Sequence, residues 1–250
     1  MNLHKQSLIF AHRGANKEAA ENTRPAFDRA LEYAIDGMET DVQLSRDEVA
    51  VLWHDRFLNK LGLPDKHIDD FDYAQLRAMN FAAHLSAEAA PEGIMSLQAF
   101  LDAYRKRCRL LIEIKNREWE PPSRHETKVR QTLEMIGAAR GEAIMVSSFN
   151  LASLIYAHQC APQFPLVYNL EPEQTPDDAR RVLIGQSFLH GLCLPISSLD
   201  HAMVGLLRDH GKCIAVYTCN SDAEIGKALG LGVDILISDV PQKALAMRDH

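Results

Sequence analysis

Short apolar runs alternate with helix-like segments along almost all of this 250-residue chain. Helix-start signals follow several of the runs, such as Thr175-Pro176, or Ser221 with Glu224 three residues later. Alternating strands and helices predict an α/β fold with a parallel sheet, and eight such units in this length predict a closed TIM (β/α)8 barrel. The runs expected to be strands are 7–11, 37–44, 110–114, 143–147, 165–168, 191–194, 213–217 and 235–237.

One further apolar run breaks this alternation. Residues 49–53 follow 37–44 after only four residues, whereas a parallel crossover needs about a dozen. The run is therefore expected to fold back as an antiparallel hairpin, and a two-residue turn at Asp47-Glu48 would place Asp41 opposite His54. We expect one barrel domain over residues 1–250, with the hairpin and a weakly periodic insertion at 45–95 lying on the barrel top.

Composition and charge exclude several classes of protein. The chain is 46% hydrophobic with a formal net charge of −7, which argues against a nucleic-acid or anionic-membrane partner. No apolar run approaches the ~18 residues of a membrane helix, and the run at 8–11 is shorter than the ~7–15 residues of a signal-peptide core. Five cysteines without a C-x-x-C pair favour reduced thiols in a cytoplasmic protein.

Carboxylates lie near the carboxyl ends of two predicted strands, where TIM barrels place their reactive groups. Glu39 and Asp41 share one face of the second strand, and Glu113 lies in the third. Any one of them alone would more often be a solvated surface residue. Together they would repel one another and take up protons unless a cation lay among them. Oxygen ligands favour one Mg²⁺ or Ca²⁺ ion, or Mn²⁺, over zinc.

Cationic and imidazole side chains occur at the same strand ends. Arg13 and Lys115 flank the carboxylates, so they are candidate contacts for a phosphate-like anion. His12 and His54 are candidates for a general base and a general acid. We favour His12 as the base, because Asp55 could orient the neighbouring His54, although the sequence leaves the order open. Glu171 and Asp239 also end predicted strands and are weaker candidates for lining the pocket.

These residues fall into short motifs that resemble the glycerophosphodiester phosphodiesterase family, in order and over nearly the whole chain. The motifs are His12-Arg13-Gly14, Glu21-Asn22-Thr23, Glu39-x-Asp41, His54-Asp55, Glu113-Ile114-Lys115, Ser147-Ser148-Phe149, 216–220 and 232–239. The resemblance implies a TIM barrel that uses a divalent metal to hydrolyse glycerophosphodiesters, in glycerol and lipid metabolism, to sn-glycerol 3-phosphate and an alcohol. It also assigns roles: Glu39, Asp41 and Glu113 as metal ligands, His12 and His54 as the acid–base pair, and Arg13 and Lys115 as phosphate contacts.

The chain departs from the family pattern near the expected position of the leaving alcohol. Tyr217 stands where the family usually has Trp, and Asn116 stands in place of a common proline. The alcohol, the metal and the oligomeric state stay open, as does the choice of water or the glycerol 2-hydroxyl as nucleophile. Three alternatives remain: a lysophospholipase D acting on lipid-tailed substrates, a metal-free phospholipase C of the phosphoinositide type, and a barrel that only binds phosphodiesters.

Overall fold

Nine strands form one closed sheet in the computed structural model, which describes residues 6–83, 85, 90–137 and 143–250. Eight are parallel, and pairing of the first with the second closes the barrel, so the predicted TIM barrel is confirmed. The third strand pairs antiparallel with the second. The strands are β1 (Leu8–His12), β2 (Gly37–Leu44), β3 (Ala50–Leu52), β4 (Arg109–Ile114), β5 (Ile144–Ser148), β6 (Leu166–Asn169), β7 (Gly191–Pro195), β8 (Cys213–Tyr217) and β9 (Ile235–Ser238).

The helices pack around the barrel, and those that follow Asn150, Thr175 and Ser221 begin where the sequence indicates; the helix His201–Asp209 begins after Asp200, not at Ser198. Thr175 and Ser221 each form a capping box, and the Asn150 side chain accepts a hydrogen bond from the Ser153 amide. The α-helices of the described ranges are α1 (Arg24–Leu31), α2 (Tyr73–Ala78), α3 (Leu97–Tyr104), α4 (Pro122–Ile136), α5 (Leu151–Cys160), α6 (Pro176–Gly185), α7 (His201–Asp209), α8 (Asp222–Gly230) and α9 (Pro241–Asp249). None of them combines the length and apolar character that a membrane crossing needs.

The barrel interior changes from apolar to polar along the strands. Phe10 of β1 and Leu111 of β4 belong to an apolar cluster inside the barrel. Two residues further along the same faces come His12 and Glu113. The register pairs His12 with Glu39 and Asp41 with Glu113. The polar side chains of three neighbouring strands therefore meet at the carboxyl-terminal mouth, above a packed apolar floor.

The hairpin is confirmed, but its predicted register is wrong by one residue. Val42 pairs with Leu52 and Gln43 with Val51, so the backbone carbonyl of Asp41 accepts a hydrogen bond from Trp53, not from His54. The turn holds three residues because Glu48 adopts a left-handed conformation with φ +60°. His54 consequently lies just beyond the paired residues.

The insertion has a small apolar cluster of its own in the described residues. Trp53 packs edge-on against Phe81, with ring centroids 5.2 Å apart. This cluster fixes the segment beside the barrel although its sequence shows little periodicity. Its buried members are Val51, Trp53, Leu58, Ile68, Leu76, Phe81 and Ile94; residues 84 and 86–89 of the predicted insertion lie outside the described residues.

Candidate active site

Three buried carboxylates converge at the barrel mouth, as the sequence predicts. One oxygen each of Glu39, Asp41 and Glu113 lies within 4.8 Å of the other two. The side chains come from adjacent strands and are 4%, 0% and 7% exposed. Glu39 Oε2 is buried and makes no hydrogen bond within the described residues, and His12 Nε2 lies 3.9 Å from it. An unpaired buried carboxylate oxygen aimed at two other carboxylates fits a site for a hard divalent cation.

The electrostatics of these carboxylates also indicate a missing positive charge. Burial, together with repulsion from Asp41, raises the pKa of Glu39 well above its usual range. Burial acts in the same direction on Asp41, but Arg13 and Lys115 outweigh it and hold the pKa of Asp41 far below its usual value. Arg13 and Lys115 thus pair with Asp41 and Glu113 but do not offset the effects of burial and repulsion on Glu39. A divalent cation beside these carboxylates would favour the ionised form of Glu39.

A tight turn after β1 carries Arg13 into the mouth. Arg13 and Gly14 both have positive φ, at 58° and 83°, and a Cβ at Gly14 would lie 2.6 Å from the backbone of Ala26. Only glycine fits this close approach. Arg13 Nε then lies 3.0 Å from Asp41 Oδ2. Burial disfavours its charge, but Asp41 and Glu21 more than compensate, and the pKa of Arg13 is raised.

The Glu21-Asn22 motif supports this turn. The backbone amide of Asn22 donates to the Arg13 carbonyl, and its side-chain Nδ2 donates to Asp41 Oδ2 at 3.0 Å. Glu21 lies 3.1 Å from Arg13 Nη1 and accepts a second hydrogen bond from Lys60. Lys60 in turn lies 2.9 Å from Asp55. One chain of ion pairs therefore links the β1 turn to the segment that carries His54.

Lys115, which follows β4, is the second cation of the mouth. Its Nζ lies 2.7 Å from Glu113 Oε1 and 3.3 Å from Asp41 Oδ1. Burial opposes its charge, but Glu113 and Asp41 prevail and raise the pKa of Lys115. The buried Lys128 of α4 donates to the Lys115 carbonyl at 2.5 Å and to Glu120 at 2.8 Å. These bonds hold the loop after β4 in place.

His12 and His54 each lie within hydrogen-bond distance of one carboxylate. His12 Nδ1 lies 2.6 Å from Asp239 Oδ1, and His54 Nδ1 lies 2.9 Å from Asp55 Oδ1. A proton held between Nδ1 and the carboxylate leaves Nε2 to act on a ligand. Burial, and secondarily Arg13, lowers the pKa of His12 despite the opposing effect of Asp239.

Asp239 is a stronger component of the site than the sequence indicates. It also accepts hydrogen bonds from Asn16 at 2.6 Å and Asn220 at 2.9 Å. Burial raises the pKa of Asp239, but His12, and secondarily Asn16, outweigh it and keep that pKa below its usual value. Its place at the end of β9 was the available signal for Asp239, and the 216–220 motif was the signal for Asn220. Lys128 carries no comparable signal, because it reaches the site only through the packing of α4.

Two cavities meet between the histidines. The inner cavity, of about 190 Å³, contains His12, Arg13 and Glu39. The outer cavity, of about 510 Å³, extends along the loop after β4 past Arg117 to Glu171. The two share His54, Glu113, Lys115 and Phe149. The two cavities fit a ligand whose smaller group occupies the inner cavity and whose larger group occupies the outer cavity. Its anionic group would lie where the cavities join.

Asp239→Asn is expected to lower kcat about 10²-fold with little change in KM, because a neutral amide no longer fixes the ring and the proton of His12. Steady-state kinetics in the presence of a divalent cation checks this. Asp234→Asn is the matched control at the other end of β9, where Asp234 pairs with Arg208, and should keep kcat. Equal kcat in the two variants would contradict a positioning role for Asp239.

The fold and the chemistry of the mouth define the class of a TIM-barrel phosphodiesterase. Residues 12–243 match the sequence model of the glycerophosphoryl diester phosphodiesterase family. The chain belongs to this family, which makes its enzyme class that of the phosphoric diester hydrolases.

Similar proteins agree in sequence and in fold. A glycerophosphodiester phosphodiesterase of Bacillus altitudinis is 29% identical over 97% of this chain and 98% of its own length. A crystal structure from Silicibacter pomeroyi, of a protein described as a putative glycerophosphoryl diester phosphodiesterase, superposes with a TM-score of 0.87 at 21% identity, over 98% and 94% of the two chains. An Oleispira antarctica phosphodiesterase in complex with the product sn-glycerol-3-phosphate superposes with a TM-score of 0.86 at 24% identity, over 98% of each chain.

Proposed function

We propose that this protein hydrolyses glycerophosphodiesters to sn-glycerol 3-phosphate and an alcohol, with one divalent cation held by Glu39, Asp41 and Glu113. The convergence of these buried carboxylates beside two cations, where two cavities join, is the observation that carries the proposal. Family membership supports the reaction class, and the product bound to the Oleispira antarctica enzyme is the product proposed here.

The proposed roles of the charged residues follow from their positions. A bound Mg²⁺, Ca²⁺ or Mn²⁺ ion would polarise a phosphoryl oxygen and neutralise the charge that develops in the transition state. Arg13 and Lys115 flank the carboxylates, so their side chains can bind the remaining phosphoryl oxygens and hold the diester in place. Glu21 and Asn22 keep Arg13 oriented through the contacts described above.

The cavities suggest how the two histidines divide the proton transfers. His12 lines the inner cavity, whereas His54 lines both cavities. We assign the glycerol half to the smaller inner cavity and the leaving alcohol to the outer cavity. His12 then removes a proton from the nucleophile, and His54 donates a proton to the leaving oxygen.

Either water or the 2-hydroxyl of glycerol can act as the nucleophile in this arrangement. If water attacks, one P–O bond forms as the bond to the alcohol breaks, and glycerol 3-phosphate leaves directly. If the 2-hydroxyl of glycerol attacks, its P–O bond forms as the bond to the alcohol breaks, so the alcohol leaves and a five-membered cyclic phosphate remains. Water then opens this cyclic phosphate in a second step, with the roles of the histidines reversed.

The alternatives fit the site less well. A lipid-tailed glycerol would have to enter a cavity of about 190 Å³, whereas pockets for drug-sized ligands are roughly 300–1,000 Å³. A metal-free phospholipase C mechanism gives no role to the convergence of three buried carboxylates. We also propose a small-molecule substrate and a cytoplasmic setting, the latter supported by five cysteines that form no disulfide within the described residues.

A substrate panel tests the proposed reaction. Glycerophosphocholine, glycerophosphoethanolamine and lysophosphatidylcholine are each incubated with Mg²⁺, Ca²⁺ or Mn²⁺, and released glycerol 3-phosphate is measured with a coupled dehydrogenase. We expect release from the two glycerophosphodiesters and only in the presence of a divalent ion. Formation of phosphocholine instead of glycerol 3-phosphate, or no turnover with any ion, would contradict the proposal.

A further inference from the structure

One wall of the inner cavity takes no part in the steps proposed above. It is built from the ends of β5 to β8 and includes Ser147, Asn169, Cys193 and Tyr217. In the closed barrel β6 lies opposite β1. Asn169, the last residue of β6, therefore faces the His12 side of the cavity from the opposite wall.

Asn169 is a buried residue whose side-chain oxygen makes no hydrogen bond within the described residues. The residue is 4% exposed, and its Oδ1 has no hydrogen-bond partner in the described part of the chain. It lies two residues beyond Val167 on the face that points into the barrel, directly above the apolar floor. Buried polar groups in folded proteins are normally paired. An unpaired amide oxygen in the wall of a ligand cavity therefore indicates that the ligand supplies a hydrogen-bond donor.

The other side chains on this wall indicate which ligand group can lie beside Asn169. The Tyr217 hydroxyl already donates to the Leu170 carbonyl at 2.6 Å. Burial raises the pKa of the Cys193 thiol well above its usual value, so this group stays neutral. The wall thus offers an amide and the Ser147 hydroxyl but no charge. Such a surface suits an uncharged hydroxyl better than an anion or a cation.

We propose that Asn169 binds the terminal hydroxyl of the glycerol half of the substrate and thereby selects free glycerol. This inference rests on the proposed function. The phosphorus lies beside Arg13 and Lys115 in that proposal, and the vicinal 2-hydroxyl lies next to the phosphorus. The terminal hydroxyl is the group furthest from the phosphorus and is the one that can reach the β6 wall. An acyl chain esterified at that oxygen would remove the donor and fill the cavity.

The test compares Asn169→Leu with the wild-type enzyme on two substrates. One is sn-glycero-3-phosphocholine, and the other is the phosphocholine diester of propane-1,2-diol, which keeps the vicinal hydroxyl and lacks the terminal one. We expect the wild type to prefer glycerol about tenfold in kcat/KM, the size of effect typical of one neutral hydrogen bond. The variant should lose this preference through a higher KM for glycerophosphocholine, with little change for the deoxy analogue.

Asn116→Leu is the matched control, because Asn116 does not line the inner cavity and its Nδ2 is likewise buried with no hydrogen-bond partner among the described residues. This variant should keep the preference for glycerol. The inference is overturned if Asn169→Leu keeps the wild-type preference, if it weakens both substrates equally, or if the wild type shows no preference. If the leucine variant does not fold, Asn169→Ala is measured with the same pair. A wild type that hydrolyses neither substrate contradicts the proposed function instead.

Discussion

Dialysis against EDTA is expected to lower the rate of glycerophosphodiester hydrolysis at least about 10³-fold, because the ion contributes several kcal/mol of charge stabilisation in the transition state. Adding back Mg²⁺, Ca²⁺ or Mn²⁺ should restore activity, and a titration of the apoenzyme with each ion measures the concentration for half-maximal rate. Full activity after exhaustive chelation would contradict a role for the carboxylate cluster in catalysis.

Glu39→Gln tests the same cluster through stability as well as rate. Glutamine keeps the volume of the side chain but cannot supply a charged ligand, so the ion concentration for half-maximal rate should rise strongly. An ion that binds only the folded state at 100 times its Kd adds about 2.7 kcal/mol to the free energy of unfolding. The ion should therefore raise the melting temperature of the wild type and of the control Glu32→Gln, which alters a surface pair with Arg29, but not that of Glu39→Gln.

Replacing either His12 or His54 by Gln is expected to lower kcat about 10²–10⁴-fold while the protein stays folded, because each replacement removes one proton transfer. Circular dichroism and steady-state kinetics check the two parts of this expectation. His158→Gln is the control, since this ring stacks on Phe188, with centroids 4.3 Å apart, on the outer helix α5. A His12→Gln/His54→Gln double variant with the wild-type rate would exclude both assignments.

A change of leaving group separates the two histidines. A p-nitrophenyl diester of glycerol 3-phosphate expels a weakly basic oxygen that needs no proton from the enzyme. His54→Gln should regain most of its activity on this substrate, whereas His12→Gln should not. If His12→Gln regained its activity on this substrate and His54→Gln did not, His12 would be the acid and His54 the base.

Most of the architecture could be predicted because the signals are local and repeated. The parallel strands of the barrel are short apolar runs, apart from β2, which alternates apolar and polar residues, and helix caps such as Thr175 and Ser221 lie at fixed offsets from the helices that they start. The hairpin register was the exception. It depends on the left-handed conformation of Glu48, a position where glycine, not glutamate, is the usual signal.

The carboxylate cluster and its cations could be predicted for a different reason. Charged residues at strand ends of a barrel converge at one mouth, so Glu39, Asp41 and Glu113 needed only the correct fold to be brought together. Their supporting contacts depend on long-range packing that leaves no local pattern. Asp239 reaches His12 from 227 residues away, and the isolated Asn169 matches no short motif.

Manganese binding in a crystal tests the central claim most directly, since Mn²⁺ can be located by its anomalous scattering. The account predicts one peak in contact with the carboxylates of Glu39, Asp41 and Glu113, with Lys115 displaced from Glu113 or sharing its other oxygen. An absence of density there at saturating Mn²⁺, with Lys115 and Arg13 still paired to the acids, would contradict it.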